Sequence, residues 1–79
     1  MNRADILKYI NEKVQQMHGH IQISESSKIL GNNNDLNFSS LEVVGLIIQI
    51  EEHYNIEIEY KIETVGEIID MIVGDKKDG

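Results

Sequence analysis

The sequence predicts an all-α protein, a small bundle of three main helices with a long first loop and room for a short fourth helix. Two observations lead to this fold class. Three segments have the apolar pattern of helices: two place apolar residues at the i, i+3, i+4 and i+7 spacing of an amphipathic helix, and the one between them is apolar around most of its circumference. Two of them begin at a capping box, in which a Ser or Thr is followed three residues later by Glu. The chain has 79 residues, the length of one domain, and we assign residues 1–79 to it.

The first helix is predicted over about residues 3–17, and Gly19 follows where a helix would stop. Residues 20–38 then form a long, mostly irregular loop, in which Ile21 and Ile23 suggest a short extended piece. Unstructured connections of this length are uncommon in small domains, so we expect apolar side chains to pin the loop across the bundle. Those side chains are Ile29, Leu30, Leu36 and Phe38.

The second helix is predicted to begin at Ser39-Ser40-Leu41-Glu42, with Ser39 as the N-cap and Glu42 at the third helical position. The residues that follow are apolar around most of the helix circumference, which predicts a central helix with neighbours on several sides. Asn55 is the predicted end, because Asn is a frequent C-cap residue.

The third helix is predicted to begin at the second capping box, Thr64-Val65-Gly66-Glu67, and to end at Gly74. Its apolar stripe consists of Val65, Ile68, Ile69 and Ile72. Between the second and third helices, residues 56–62 alternate large apolar or aromatic side chains with charged ones. Alternation is typical of a strand, but a lone strand has no partner, so we expect an extended connector or a single distorted turn.

The charge distribution indicates the class of partner. The net charge is −7, which argues against binding to nucleic acid phosphates, since that requires Lys and Arg. Residues 29–60 contain no Lys or Arg. This stretch is either an ordinary solvated acidic surface or a docking face for basic protein partners. Its acidic residues are Asp35, Glu42, Glu51, Glu52, Glu57 and Glu59.

Several other classes are disfavoured by the composition. The longest apolar region, residues 43–50, includes Gly45 and Gln49 and is far too short to span a bilayer, so we expect no membrane insertion. There is no Cys, which fits a reducing compartment, and we expect a cytoplasmic monomer. His18 and His20 have no third ligand nearby in sequence, so we expect exposed histidines and no metal site.

The segment from Leu36 to Tyr54, Leu-Asn-Phe-Ser-Ser-Leu-Glu-Val-Val-Gly-Leu followed by Ile-Ile-Gln-Ile-Glu-Glu-His-Tyr, resembles the signature of the acyl carrier protein family. Ser40 matches the serine that the family modifies, and Leu41 matches the leucine after it. Val44 and Leu46 match apolar positions of the recognition helix. The resemblance extends over the whole chain, including the first helix, the long loop and residues 62–67.

The resemblance implies a carrier that is not itself an enzyme. Ser40 would bear a covalent 4'-phosphopantetheine arm, donated by coenzyme A through a phosphopantetheinyl transferase. The arm would carry thioester-linked acyl intermediates of fatty-acid, polyketide or another specialised biosynthesis. The partners would be acyl-transferring, condensing or ligase enzymes with basic docking patches. The expected docking residues are Leu41, Glu42, Val44, Ile47, Ile48, Glu51 and Glu52.

Residue chemistry agrees with this implication at Ser40. A phosphodiester there would lie at a helix N-terminus, whose backbone N–H groups and dipole favour an anion by about 0.3–1 kcal/mol. The arm supplies its own thiol, so the chain needs no Cys. Without the helix that follows, Ser39 and Ser40 would indicate only a helix cap.

Three departures from the family pattern point to a carrier dedicated to one pathway. Ser39 stands where the family has Asp, and Gly45 stands where it often has Glu. The segment between Ile58 and Ile62 is short, which leaves the family's small third helix reduced or missing. Two alternatives stay open: a peptidyl or D-alanyl (aminoacyl) carrier, and an unmodified interaction module with the same fold.

Overall fold

The computed structural model describes residues 2–19, 21–29, 38–59 and 63–77. Three helices form in this part of the chain: α1 (Arg3–Met17), α2 (Ser40–Tyr54) and α3 (Val65–Lys77). No strand forms in the described ranges. The prediction of an all-α bundle of three main helices is therefore confirmed. None of these helices, within the residues described, is long and apolar enough to cross a membrane.

Local hydrogen bonds set the start and the end of α1. The Asn2 side chain accepts a hydrogen bond from the Ala4 N–H at 2.7 Å and so caps the helix. At the other end His18 is the C-cap, and its N–H donates to the Val14 carbonyl at 2.9 Å. The helix ends within two residues of Gly19, as predicted.

Both predicted termini of α2 are confirmed. The Glu42 N–H donates to Ser39 Oγ at 3.3 Å, and the Ser39 N–H donates to Glu42 Oε1 at 2.9 Å, which completes the capping box. Asn55 ends the helix in the left-handed conformation, at φ 56° and ψ 52°. Gly45 lies within the helix and does not break it.

The start of α3 is confirmed, but its predicted end is wrong. The Glu67 N–H donates to Thr64 Oγ1 at 3.3 Å, and the Thr64 N–H donates to Glu67 Oε1 at 3.2 Å. The helix continues through Gly74 to Lys77. An added Cβ at Gly74 would meet no atom within 4 Å. A glycine inside a helix costs only about 1 kcal/mol relative to Ala, so a single Gly does not have to terminate it.

The core is formed by all three helices and by side chains from both connections. Ile29 and Phe38 are buried and pin the first loop as expected, and Ile58 is buried in the second connection. Leu30 and Leu36 lie outside the described residues. No polar side chain is buried in the described part of the chain. The buried helical residues are Ile6, Ile10, Val14, Val43, Leu46, Ile47, Ile50, Val65, Ile68, Ile69 and Ile72.

Backbone hydrogen bonds attach the first loop to the start of α3. Lys28 and Thr64 form an isolated antiparallel bridge. Arg3 pairs with Glu25 of the loop and with Asp70 of α3, which joins the start of α1 to the same place. The bridge is flanked by bonds from Ile29 N–H to Glu63 O, Val65 N–H to Ser27 O and Gly66 N–H to Glu25 O.

The connector after α2 is described as far as residue 59. Residues 56–59 form neither helix nor strand, so the alternating pattern does not produce a strand there, as expected. Ile58 is buried, and its N–H donates to Glu51 Oε2 at 2.8 Å. The short fourth helix is absent from residues 55–59, and residues 60–62 lie outside the described part of the chain.

Candidate functional site

Ser40 is an exposed residue at the first position of α2. Two residues earlier, Phe38 is only 6% exposed and anchors the incoming chain in the core. On the other side, Leu41 is 84% exposed. The serine is therefore presented to solvent on a turn whose preceding residue is anchored and whose cap is complete.

The polar groups around this turn converge on Glu42. Its Oε1 accepts the hydrogen bond from the Ser39 N–H, and its Oε2 lies 2.8 Å from His18 Nε2. These bonds hold the pKa of Glu42 below its ordinary value; the Ser39 backbone N–H has the larger effect, followed by His18. Glu42, an expected docking residue, thus has both carboxylate oxygens engaged within the chain.

His18 also contacts the residue that precedes the cap. Its ring stacks on the ring of Phe38, with centroids 4.7 Å apart and planes 29° apart. The sequence predicts an exposed histidine at position 18, but His18 is partly buried and hydrogen-bonded. Glu42 is 24 residues away in sequence, so no local pattern could have revealed the pair. His20 lies outside the described residues.

Three expected docking residues form an exposed apolar stripe along α2. Leu41, Val44 and Ile48 are 84%, 38% and 43% exposed. Their i, i+3 and i+7 spacing places them on one helix face. Ile47, also an expected docking residue, is fully buried and so is not part of this exposed stripe. It belongs to the opposite face of α2, together with Val43, Leu46 and Ile50.

The exposed stripe leads to an open cleft at the C-terminal end of α2. The cleft has a volume of about 510 Å³. Its apolar lining comes from Ile48, Ile56 and Ile58, and its carboxylates come from Glu51, Glu52 and Glu57. Glu51 is partly buried and accepts the Ile58 N–H, so this expected docking residue also shapes the connector. Glu52 is exposed, as a docking contact requires.

An aromatic cluster joins α1 to the end of α2, and sequence reasoning did not identify it. Tyr9 stacks on His53 with ring centroids 4.0 Å apart, and it meets Tyr54 edge-on at 5.5 Å. Burial raises the pKa of both tyrosines. The cluster lies at the opposite end of α2 from Ser40, where it packs α1 against the helix.

The described residues contain no group of three or more His, Cys, Asp or Glu side chains that could hold a metal ion. The group in this region that could be covalently modified is the Ser40 hydroxyl, which is exposed at the N-terminus of α2. The exposed stripe and the cleft lie further along the same helix. Compared with models of known protein families and with curated proteins, the sequence matches none.

Proposed function

We propose that this protein is a carrier whose Ser40 bears a covalent 4'-phosphopantetheine arm, as its resemblance to the acyl carrier protein family implies. The observation that carries the proposal is the exposed position of Ser40 at the start of α2, between the buried Phe38 and the exposed Leu41. A transferase active site can reach a hydroxyl in that position without unfolding the helix.

Attachment of the arm requires little of the carrier beyond this exposure. The Ser40 hydroxyl oxygen forms a bond to the β-phosphorus of coenzyme A. The bond between that phosphorus and the bridging pyrophosphate oxygen breaks, and adenosine 3',5'-bisphosphate leaves. The serine proton passes to a base on the transferase. The N-terminus of α2 favours the resulting phosphodiester anion by about 0.3–1 kcal/mol.

The exposed stripe and the cleft give the carrier a surface for cargo and enzymes. When bound, the arm supplies a thiol that forms thioesters with acyl groups. Ile48 lies about 12 Å along α2 from Ser40, given a rise of 1.5 Å per residue. The stripe of Leu41, Val44 and Ile48 therefore connects the attachment point with the apolar lining of the cleft.

Charge defines the partners of the proposed carrier. Glu52 and Glu57 line the cleft and are exposed, and the net charge of the chain is −7. A transferase and acyl-handling enzymes with basic patches around their entrances complement this surface. We place the carrier in the cytoplasm as a monomer, where its partners load and unload it in turn.

The test of this function is transfer of the arm in vitro. Incubation with coenzyme A and a broad-specificity phosphopantetheinyl transferase is expected to add one phosphopantetheinyl group, measured by intact mass. Ser40→Ala abolishes the gain. Ser39→Asp is the matched control, because it removes the neighbouring hydroxyl but keeps a good N-cap, so it retains the gain. Modification that survives Ser40→Ala, or is lost in Ser39→Asp, contradicts the assignment.

A second candidate function is an unmodified interaction module, which the exposed Leu41 side chain favours. Such a module binds a partner through the stripe with no covalent arm. A peptidyl or aminoacyl carrier differs from an acyl carrier only in cargo. Absence of the mass gain with several transferases would favour the unmodified module, and loading by an amino-acid-activating enzyme would identify an aminoacyl carrier.

A further inference from the structure

One side chain from α1 contacts the chain on both sides of Ser40. His18 stacks on Phe38, two residues before the serine, with ring centroids 4.7 Å apart. Its Nε2 lies 2.8 Å from Oε2 of Glu42, two residues after the serine. We call His18, Phe38 and Glu42 the clamp. Ser40 lies between its two points of attachment, Phe38 before the start of α2 and Glu42 within the first turn of the helix.

The α1 end of the clamp has a fixed backbone. His18 is the C-cap of α1, and its N–H donates to the Val14 carbonyl at 2.9 Å. Its own carbonyl accepts the Ile21 N–H at 3.2 Å. Because the backbone at His18 is already ordered, only side-chain rotamer freedom remains to be lost when the ring makes its contacts, so its hydrogen bond can hold a neighbouring element in place.

The α2 end of the clamp is the capping box itself. Glu42 uses Oε1 to accept the Ser39 N–H at 2.9 Å and Oε2 to meet His18. A capping Glu on an exposed first turn has several rotamers, and only some of them reach back to the N-cap. Contact with His18 selects one that does. Both contacts also favour the ionised carboxylate, the better acceptor for the Ser39 N–H.

We propose that His18 is a positioning residue for the modification of Ser40, acting through Glu42 and Phe38 on the turn that presents the serine. This inference rests on the proposed function, because it assigns a role in the same transfer reaction. His18 itself does not touch the reacting atoms. It keeps the capping box closed and Phe38 anchored, so that the turn carrying Ser40 is held in one conformation.

Two substitutions separate the parts of the clamp. His18→Phe retains an aromatic ring against Phe38 but removes the hydrogen bond to Glu42. His18→Gln loses the ring but places an amide nitrogen where Nε2 was, so it can still donate to Glu42. His53→Phe is the matched control, because His53 also stacks on an aromatic ring, that of Tyr9, but at the far end of α2.

Two readouts are required. Amide exchange measured by NMR reports opening of the bond from the Ser39 N–H to Glu42. His18→Phe is expected to lower the protection of that amide by about 3- to 10-fold, the factor that one hydrogen bond is worth. The same variant is also expected to lower kcat/KM for transfer of the arm to Ser40. His18→Gln is expected to stay within about 2-fold of the wild type in Ser39 protection, because it keeps a donor to Glu42, and to show a smaller loss of kcat/KM than His18→Phe, because it gives up only the ring on Phe38. His53→Phe changes neither readout.

The proposal would be overturned if His18→Phe showed the same Ser39 amide protection and the same transfer kinetics as the wild type. So would a loss of protection spread evenly over all three helices, because that pattern means general destabilisation. Failure of the proposed function is distinguishable: the wild type would then gain no phosphopantetheinyl group, while Ser39 exchange would still report whether His18 holds the cap.

Discussion

The two faces of α2 are built from the same residue types, but one is buried and the other is exposed. One face places Val43, Leu46, Ile47 and Ile50 in the core. The other presents Leu41, Val44 and Ile48 to solvent, although a core would accept each of them equally well. Exposed apolar side chains grouped on one helix face mark an interaction surface more often than scattered ones do. α2 is therefore central to the fold on one side and exposes an apolar face to solvent on the other.

The largest expected effect comes from the adjacent isoleucines 47 and 48. Ile47→Ala is expected to destabilise the fold by about 2–5 kcal/mol, because it opens a cavity in the core. Ile48→Ala is expected to cost less than about 1 kcal/mol, because its side chain is 43% exposed. Chemical denaturation of both variants gives the two free energies of unfolding. Equal losses would remove the distinction between the faces.

The neighbouring residues Glu51 and Glu52 differ in burial in the same way as Ile47 and Ile48 do. Glu51→Ala is expected to cost about 1 kcal/mol, because the Ile58 N–H loses its acceptor. Glu52→Ala is expected to stay within about 0.5 kcal/mol of the wild type, because Glu52 is exposed.

The role of Glu52 is expected in docking instead. Glu52→Lys should slow association with the transferase at low salt, and the difference should shrink once salt screens charges beyond about 8 Å. Stopped-flow association rates at two ionic strengths measure this. A rate that is independent of salt in the wild type would contradict an electrostatic docking surface.

A smaller effect of opposite sign is expected at Gly45, between the two faces. Gly45→Ala should stabilise the protein by about 0.5–1 kcal/mol, because a helix interior favours Ala and the unfolded chain loses freedom. An added Cβ there meets no atom within 4 Å. Gly66→Ala is the contrasting control and should destabilise, because its Cβ would lie 2.9 Å from the Glu25 carbonyl oxygen. Thermal unfolding distinguishes the two signs, and a destabilising Gly45→Ala would contradict the open environment.

The smallest expected effect is the pH dependence contributed by Glu42 at the start of α2. Its pKa is lowered in the folded protein, chiefly by the Ser39 N–H and then by His18. Its contribution to stability is therefore present above the ordinary Glu pKa of about 4.3 and fades as pH falls through the lower folded value. Glu42→Gln should lower Tm at neutral pH, and the gap to the wild type should narrow under acid. A gap that is constant with pH would show that the charge of Glu42 contributes nothing.

The parts of the fold that depend on local chemistry were predictable from sequence. Ser39 with Glu42, and Thr64 with Glu67, satisfy the first backbone N–H groups of their own helices, so their roles are encoded within four residues. Asn55 ends α2 for an equally local reason. The fold class and the exposed Ser40 followed from these signals.

The parts that depend on distant contacts were not predictable in this way. Ile47 and Ile48 differ only in which neighbours surround them, and α2 is apolar on both sides, so no periodicity separates core from surface. The contact of His18 with Glu42 and the bridge between Lys28 and Thr64 join residues far apart in sequence. Gly74 shows that a local signal can also mislead: a glycine near the end of a helical pattern predicts a stop, yet α3 continues through it to Lys77.

The proposal that Ser40 bears a phosphopantetheine arm can be tested by intact mass spectrometry after coexpression with a broad-specificity transferase. We expect one phosphopantetheinyl group on the wild type and on Ser39→Asp, and none on Ser40→Ala. An unmodified wild-type chain, beside an active transferase and a modified control carrier, would contradict the proposal.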